Sequence, residues 1–464
     1  MDKFQRPNWI HELLLGLPEA KQKVLLRTIK RVSHEEKVLY EKPHGGEKVI
    51  PLFVRPRLLK PFQLAYCRDI ILELQRAIET IYFNYFREPL FQEILPFEGK
   101  EKALFAEFYK SQGRVQTVMS RWDAVSDYSG ADWKKYLQFV EWNGVGIGGL
   151  YYAIAIQTIM QRVLLPFIKE LQPDFTLVKM ADSRELLYRQ MVRHAKKAGI
   201  RLKRVALVEE LRDPGGPLEF EEFRNYFGKK GLDAILSDPR DLKLRNGKLF
   251  ARGYEVQMIY RDTEIEEALD MEKKGENVKA FFEVFRRNAA VSSLMGELDH
   301  KSALEVLTRE DLSKYFTPRQ RKIFRDHVVW TRLLRPIDTT GPSGKRIDLY
   351  TYARRNRERS VIKPNREFGG VGVTFGKNLS KREWEKALEK AFRKPSGWVI
   401  QEQAEIRPKK FITSRKGRLQ EESLKVVDGH IVTPNGISII GRGARHEVVN
   451  VARQGGLVAT LVYR

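Results

Sequence analysis

The chain has 464 residues, 42% of them apolar and 11% aromatic, with 33 Gly and 20 Pro, so wholesale disorder, collagen-like order and disulfide miniproteins are excluded. Lys and Arg (84) exceed Asp and Glu (60) by 24, which favours a polyanionic partner or an anionic small substrate over a neutral one. A single cysteine, Cys67, excludes an intrachain disulfide and a thiolate metal cage; it fits a reducing compartment, so the expected location is the cytoplasm.

Residues 1–10 carry Asp2, Lys3 and Arg6 and lack the apolar run of a signal peptide. Residues 1–105 read as a helical N-terminal region, because 8–29 and 62–86 place apolar residues at three- and four-residue spacing, as in Ile70, Leu74, Ile78 and Ile81. From 115 the period drops toward two, in 115–123 and again in 136–143, which predicts two strands of one sheet either side of a polar turn at Ser129-Gly130. The uncharged stretch 143–161 approaches membrane-span length. Four glycines among its first seven residues, followed by Gln157, Thr158 and Gln161, mark it instead as a loop entering a buried helix, so no membrane association is expected.

Residues 172–264 alternate strand (175–180), helix (185–197), strand (205–208) and strand (256–260), which predicts a small α/β unit with a parallel sheet. A helical stretch and then a strand-rich C-terminal part follow. Residues 346–464 hold 25 Lys and Arg against 12 Asp and Glu, a net +13, so an anion site is expected in that quarter of the chain.

Four groups of residues could carry chemistry. In Val361-Ile-Lys-Pro-Asn-Arg-Glu-Phe-Gly-Gly-Val-Gly-Val-Thr-Phe375 an apolar strand delivers Lys363, and Gly369, Gly370 and Gly372 permit a turn whose backbone N–H groups can approach phosphate oxygens. It is neither a P-loop nor a dinucleotide fingerprint, because the GxxxxGK[ST] order and a following βα turn are both missing. Trp398-Val-Ile-Gln-Glu-Gln403 is an apolar strand whose Gln401 or Glu402 could accept from a purine amino group or a ribose. Arg121-x-Asp123 and Glu141-x-Asn143 each place two polar side chains on one strand face, and Asp123, Glu141 and Asn143 suit a hard cation such as Mg²⁺ held together with substrate phosphates. Near the C-terminus, Arg442 and Arg445 precede Val448-Val-Asn450 and Gln454-Gly-Gly456, and such arginines can stabilise charge on a transferred phosphoryl group. Each group also has a bland reading as a structural turn, strand edge or solvated face. The eight histidines form no HxxxH or HExxH pair and no GxSxG is present, so zinc hydrolysis and a serine hydrolase site have no support.

Taken in order, these pieces resemble the circularly permuted ATP-grasp family that includes the glutathionylspermidine synthase-like proteins. The likeness rests on Arg121-Trp-Asp123, Phe139-Val-Glu-Trp-Asn143, Tyr254-Glu-Val-Gln-Met-Ile-Tyr-Arg261, Trp330-Thr-Arg332, Val361-Ile-Lys-Pro364 with Phe368-Gly-Gly-Val-Gly372, Val399-Ile-Gln-Glu402 and Val449-Asn-Val-Ala-Arg-Gln-Gly-Gly456. It covers about residues 110–464, and carboxylate strands that precede the lysine hairpin suggest permutation. The resemblance implies an α+β ATP-grasp fold: a helical region over 1–105, metal-ligand strands over 106–171, a pre-ATP-grasp-like α/β unit over 172–264, a helical connector over 265–344, a nucleotide lid over 345–405 and core strands over 406–464.

The implied activity is ATP- and Mg²⁺-dependent ligation of a carboxylate to an amine through an acyl phosphate, with neither substrate named. The implied roles are Asp123, Glu141 and Asn143 as Mg²⁺ ligands; Arg121 beside the transferred phosphate; Lys363 and Lys301 on the nucleotide under a lid of Gly369, Gly370 and Gly372; Gln401, Glu402 and Gln403 along the adenine; and Arg442 or Arg445 facing the acyl phosphate. Gln257 and the missing proline after Asn143 depart from the family pattern. The alternative is a nucleic-acid or polyanion binder on the same scaffold with ligase activity lost, using the basic runs Arg189–Arg204 and Arg354–Arg359; the absence of an RNP motif or recognition helix disfavours it. A phosphotransferase or dikinase would share the nucleotide half.

Overall fold

The largest sheet of the computed structural model, which describes residues 9–41, 46–212, 216–415, 417–449 and 455–464, runs in the order Gln138–Asn143, Arg121–Val125, Arg418–Thr433, Gly436–Ala444, Gly456–Tyr463, Leu52–Leu59. Neighbours are antiparallel except Leu52–Leu59, which runs parallel to Gly456–Tyr463. The expected strands at 115–123 and 136–143 form and pair, but over Arg121–Val125 and Gln138–Asn143, with residues 115–120 outside any strand. Helix Leu150–Leu171 packs on the face that carries Ile440, and helix Pro61–Asn84 packs on the other, where Cys67, Tyr128 and His430 meet.

Gly149 at the start of Leu150–Leu171 has φ +94, a conformation that favours glycine, and it packs closely on the sheet, where an added Cβ would stand 2.6 Å from Ile440 Cδ1. Among the described residues one helix, Leu150–Glu170, is long and apolar enough to cross a membrane, and two-thirds of its apolar window is buried within the fold.

The N-terminal region is not purely helical. Leu52–Leu59 is a strand of the large sheet, and Leu39–Glu41 and Glu47–Val49 form a small hairpin. The 62–86 periodicity overshadows the strand because Pro56 interrupts its alternation; Pro56, which has no N–H to donate, falls where the register with Gly456–Tyr463 shifts. The predicted strand at 175–180 shrinks to Leu177–Val178 and pairs with the end of Gly456–Tyr463, in the large sheet and not in the α/β unit.

That unit is a four-stranded parallel sheet in the order Ala290–Val291, Met258–Arg261, Arg204–Val208, Asp233–Ser237. Asp233–Ser237 escapes the sequence pattern, and Ala290–Val291 comes from within the stretch read as a helical connector. The same stretch supplies Thr331–Leu333 to a third sheet, ordered Thr331–Leu333, Trp398–Glu402, Ser360–Pro364, Thr374–Phe375. This small lobe has its own apolar core, including Trp330, Leu349, Ile362, Trp384, Leu388 and Ile400. Its helix Lys381–Phe392 starts at a reciprocal cap, in which Ser380 Oγ accepts from the Glu383 N–H and Glu383 Oε2 accepts from the Ser380 N–H.

Candidate active site

A cavity of about 530 Å³ lies between the large sheet and the small lobe and is lined by both. On the sheet side the antiparallel register sets Arg121 opposite Asn143 and Asp123 opposite Glu141. Asp123 is held between two arginines: Arg121 Nε and Nη2 donate to its oxygens at 2.7 and 3.0 Å, and Arg442 Nη2 lies 2.7 Å away. Burial alone would push the Asp123 carboxyl up, but the charges of Arg121 and Arg442 outweigh it and hold the group well below the usual carboxylate range. Gly429, paired with Asp123 on the next strand, makes room for this arrangement, since a Cβ there would sit 2.5 Å from Arg121 Cδ.

Glu141 pairs with Lys301, Nζ to Oε1 3.0 Å. Asn143 donates its Nδ2 to the Arg121 carbonyl at 3.2 Å, and its acceptor oxygen Oδ1 is the amide atom suited to a cation. Asp299, two residues before Lys301, accepts from the Gly144 and Val145 N–H groups at 2.7 and 3.3 Å and so fixes the loop that leaves Asn143; burial raises its carboxyl to about 7.

On the lobe side Lys363 projects from Ser360–Pro364 and donates to Gln401 Oε1 at 2.6 Å. Burial lowers its ammonium to about 8. Gln401 Nε2 in turn donates to the Val140 carbonyl at 3.0 Å and to Thr331 Oγ1 at 2.9 Å. The Gln401 amide thus positions Lys363 and bridges the two sheets. Alternation along the strand turns the Glu402 carboxylate the other way, onto Arg359 at 2.6 Å. The backbone N–H groups of Glu402 and Gln403 are also taken, by the carbonyls of Trp330 and Arg359. Beyond Gln403 the chain leaves the sheet, and Gln403, Ala404 and Ile406 line the cavity.

The loop after Lys363 has positive φ at Gly369, Gly370 and Gly372 (+66, +73 and +71). A Cβ at Gly370 would meet Val448 Cγ1 at 2.5 Å and one at Gly372 would meet Pro364 Cγ at 2.6 Å, so the loop lies close against its surroundings. Its base is anchored twice. Lys301 Nζ donates to the Glu367 carbonyl at 2.5 Å, and Arg366 pairs with Glu101, Glu266 and Glu264 at 2.8, 3.2 and 3.4 Å.

Of the sequence-predicted residues, Arg121, Asp123, Glu141, Asn143, Lys301, Lys363, Gly369, Gly370, Gln401, Glu402, Gln403 and Arg442 line this one cavity. Gly372 and Arg445 do not. Arg445 is two-thirds exposed and pairs with Glu422 at 2.7 Å; its three-residue offset from Arg442 puts it past the end of the Gly436–Ala444 strand, outside the cavity wall. The stretch 450–454 of the Val449–Gly456 motif lies outside the described residues, as do residues 1–8.

Sequence reading missed Asp262, Glu264 and Glu267, which line the cavity from the α/β unit, and the anchoring Arg366. A signal existed for the first three: they follow the C-terminal end of Met258–Arg261, an inner strand of a parallel sheet, where such sheets open their crevices. Several arginines of the expected polyanion-binding runs hold carboxylates instead, with Arg189 on Glu185, Arg204 on Asp233 and Arg354 on Glu385.

Among the described residues no three His, Cys, Asp or Glu side chains are grouped to hold a metal ion by themselves. Two carboxylates and one amide oxygen on facing strand positions form an incomplete oxygen set, which fits Mg²⁺ because that ion takes one or two carboxylates and completes its shell with water and phosphate.

No protein family and no curated protein matches the chain in sequence. In structure it is similar to a glutathione synthetase-like effector from Globodera pallida in its apo form, with TM-score 0.61 and 11% identity over 94% of this chain and 96% of that one. A putative γ-glutamylcysteine synthetase from Methylobacillus flagellatus is also similar, with TM-score 0.38 and 9% identity over 83% of this chain and 87% of that one. The protein thus has a mixed α/β fold similar to that of the glutathione synthetase-like effector.

Proposed function

We propose that the protein is an ATP- and Mg²⁺-dependent carboxylate–amine ligase of the circularly permuted, glutathionylspermidine synthase-like ATP-grasp type. One observation carries the reading: a single cavity gathers Asp123, Glu141 and Asn143 from the large sheet and Lys363, the glycine loop and the 401–404 segment from the small lobe. The permuted order is supported by the chain itself, in which the carboxylate strands come more than 200 residues before the lysine strand.

The chemistry matches that arrangement. A substrate carboxylate oxygen attacks the γ-phosphorus of ATP, the bond from that phosphorus to the bridging oxygen breaks, and ADP leaves. An amine nitrogen then attacks the acyl carbon, loses a proton and displaces inorganic phosphate, which closes the balance as amide, ADP and phosphate. Because anion meets anion in the first step, positive charge and positioning do most of the work. Lys363, oriented by Gln401, and the backbone of the glycine loop hold phosphate oxygens. Lys301 spans the loop base and Glu141. Arg121 and Arg442 supply charge where the transferred group develops it. Asp123, Glu141 and Asn143 would hold Mg²⁺, which when bound neutralises phosphate charge.

No protein nucleophile is needed, and Cys67, fully buried with its thiol pushed up to about 12, offers none. A reducing, cytoplasmic setting agrees with this. ATP turnover in Glu141→Gln and Lys363→Ala, each shown folded by circular dichroism, is the test. Loss of ADP release supports the reading, undiminished release overturns it, and AMP in place of ADP points to a dikinase.

A further inference from the structure

The loop that leaves Asn143 ends on a peptide group with a charged partner on each edge. The Gly148 carbonyl accepts from Arg121 Nη1 at 2.5 Å, and the Gly149 N–H of the same peptide donates to Glu219 Oε2 at 2.6 Å. Carbonyl and N–H point in opposite directions across a trans peptide, so the guanidinium on one side and the carboxylate on the other fix its orientation together. The carboxylate also polarises the peptide and so strengthens the bond at its far end. Local backbone preference does not hold this orientation. Gly149 has φ +94, and with glycine on both sides of the peptide, turning it over meets little steric resistance.

Glu219 is 3% exposed and immediately precedes helix Phe220–Lys229 of the α/β unit. Its Oε1 accepts from the Tyr151 and Tyr152 N–H groups at 2.7 and 3.1 Å, and the neighbouring Leu218 N–H donates to Tyr152 Oη at 2.9 Å. These bonds seat the carboxylate on the start of helix Leu150–Leu171. On the other side of the peptide, Arg121 gives Nε and Nη2 to Asp123 and Nη1 to Gly148, which leaves one N–H on each Nη for a group in the cavity that Arg121 lines. Asp123 divides its oxygens between Arg121 and Arg442. The Gly148 carbonyl is therefore the anchor of Arg121 that, among the described residues, no second cation shares.

We propose that Glu219, which does not line the cavity, is a positioning residue for the phosphoryl transfer proposed above, orienting Arg121 through the Gly148–Gly149 peptide. Its role in catalysis rests on the ligase reading; its hold on Arg121 does not. Glu219→Gln separates this role from simple capping of the helix. The single oxygen of the glutamine goes to the Tyr151 and Tyr152 N–H groups, since that position answers two donors, and Nε2 then faces the Gly149 N–H, donor against donor. Turning the peptide over relieves the conflict: it presents the Gly148 carbonyl to Nε2 and takes it away from Arg121.

Crystal structures of wild type, Glu219→Gln and Glu219→Ala, read together with ADP release by the same proteins, test the proposal. In Glu219→Gln the peptide is expected to be inverted and Arg121 Nη1 to have lost the Gly148 carbonyl. The kcat for ADP release should fall about tenfold while KM for ATP stays within about twofold, because Lys363 and the glycine loop still hold the nucleotide. Glu219→Ala, which removes both oxygens, should lower kcat at least as far. A Gly148 carbonyl still on Arg121 in both variants, or an unchanged kcat in a variant where it has left, would overturn the proposal. A lower urea midpoint with the carbonyl in place and kcat unchanged would reduce Glu219 to a helix cap. Absence of ADP release from wild type would instead overturn the ligase reading, and the crystal structures would still decide whether Glu219 sets Arg121.

Discussion

Lys301 Nζ lies 3.0 Å from Glu141 Oε1 while donating to the Glu367 carbonyl at 2.5 Å, so one ammonium joins the carboxylate strand to the base of the glycine loop. The two halves of the cavity are thereby registered on each other. Glu141→Gln removes the charge that Lys301 answers and one candidate metal oxygen. ATP turnover is expected to fall about 100-fold or more, the size of losing one preorganised charge contact, with little change in the circular dichroism spectrum.

Lys363 gives a pH signature. Its ammonium, lowered by burial to about 8, is charged below that pH and neutral above it. Affinity for ATP should therefore be highest near pH 7 and fall as pH rises through 8. Lys363→Arg, which stays charged, should flatten the profile. Titrations between pH 6.5 and 9.5 read both; an unchanged affinity across that span would remove Lys363 from the phosphate contact.

Gln401 is buried, and its three hydrogen bonds hold Lys363, Val140 and Thr331. Gln401→Leu strips the partner from Lys363 and leaves a buried carbonyl unanswered. A stability loss of about 2 kcal/mol in urea unfolding and an ATP affinity weaker by about tenfold are expected.

The two C-terminal arginines should separate cleanly. Arg442→Ala takes away one of the two cations on Asp123, so its carboxyl should rise toward the ordinary range and turnover should drop about 100-fold. Arg445→Ala breaks a largely exposed pair with Glu422, worth at most about 1 kcal/mol, and turnover should stay within about twofold of wild type.

At Gly372 both conformation and space are restricted, with φ +71 and Pro364 Cγ 2.6 Å from any added Cβ. Gly372→Ala should cost the small lobe about 2 kcal/mol and should speed proteolysis of the 365–375 loop. An alanine variant as resistant as wild type would show that the loop relaxes freely.

Local order was written in the sequence where side-chain period and backbone permission act over a few residues. The alternation in 115–123 and 136–143, the apolar helix after Gly149 and the positive-φ glycines after Lys363 all follow from that. Only tertiary structure decided which strands share a sheet, because pairing is set by contacts between segments hundreds of residues apart. Leu177–Val178 and Leu52–Leu59 joined the large sheet on that ground, against their local surroundings. The same reason governs the polar groups: spacing left Arg442 and Arg445 equivalent and offered Gln401 to a ligand, whereas the fold aimed one arginine at Asp123 and enclosed the amide between Lys363 and the neighbouring sheet.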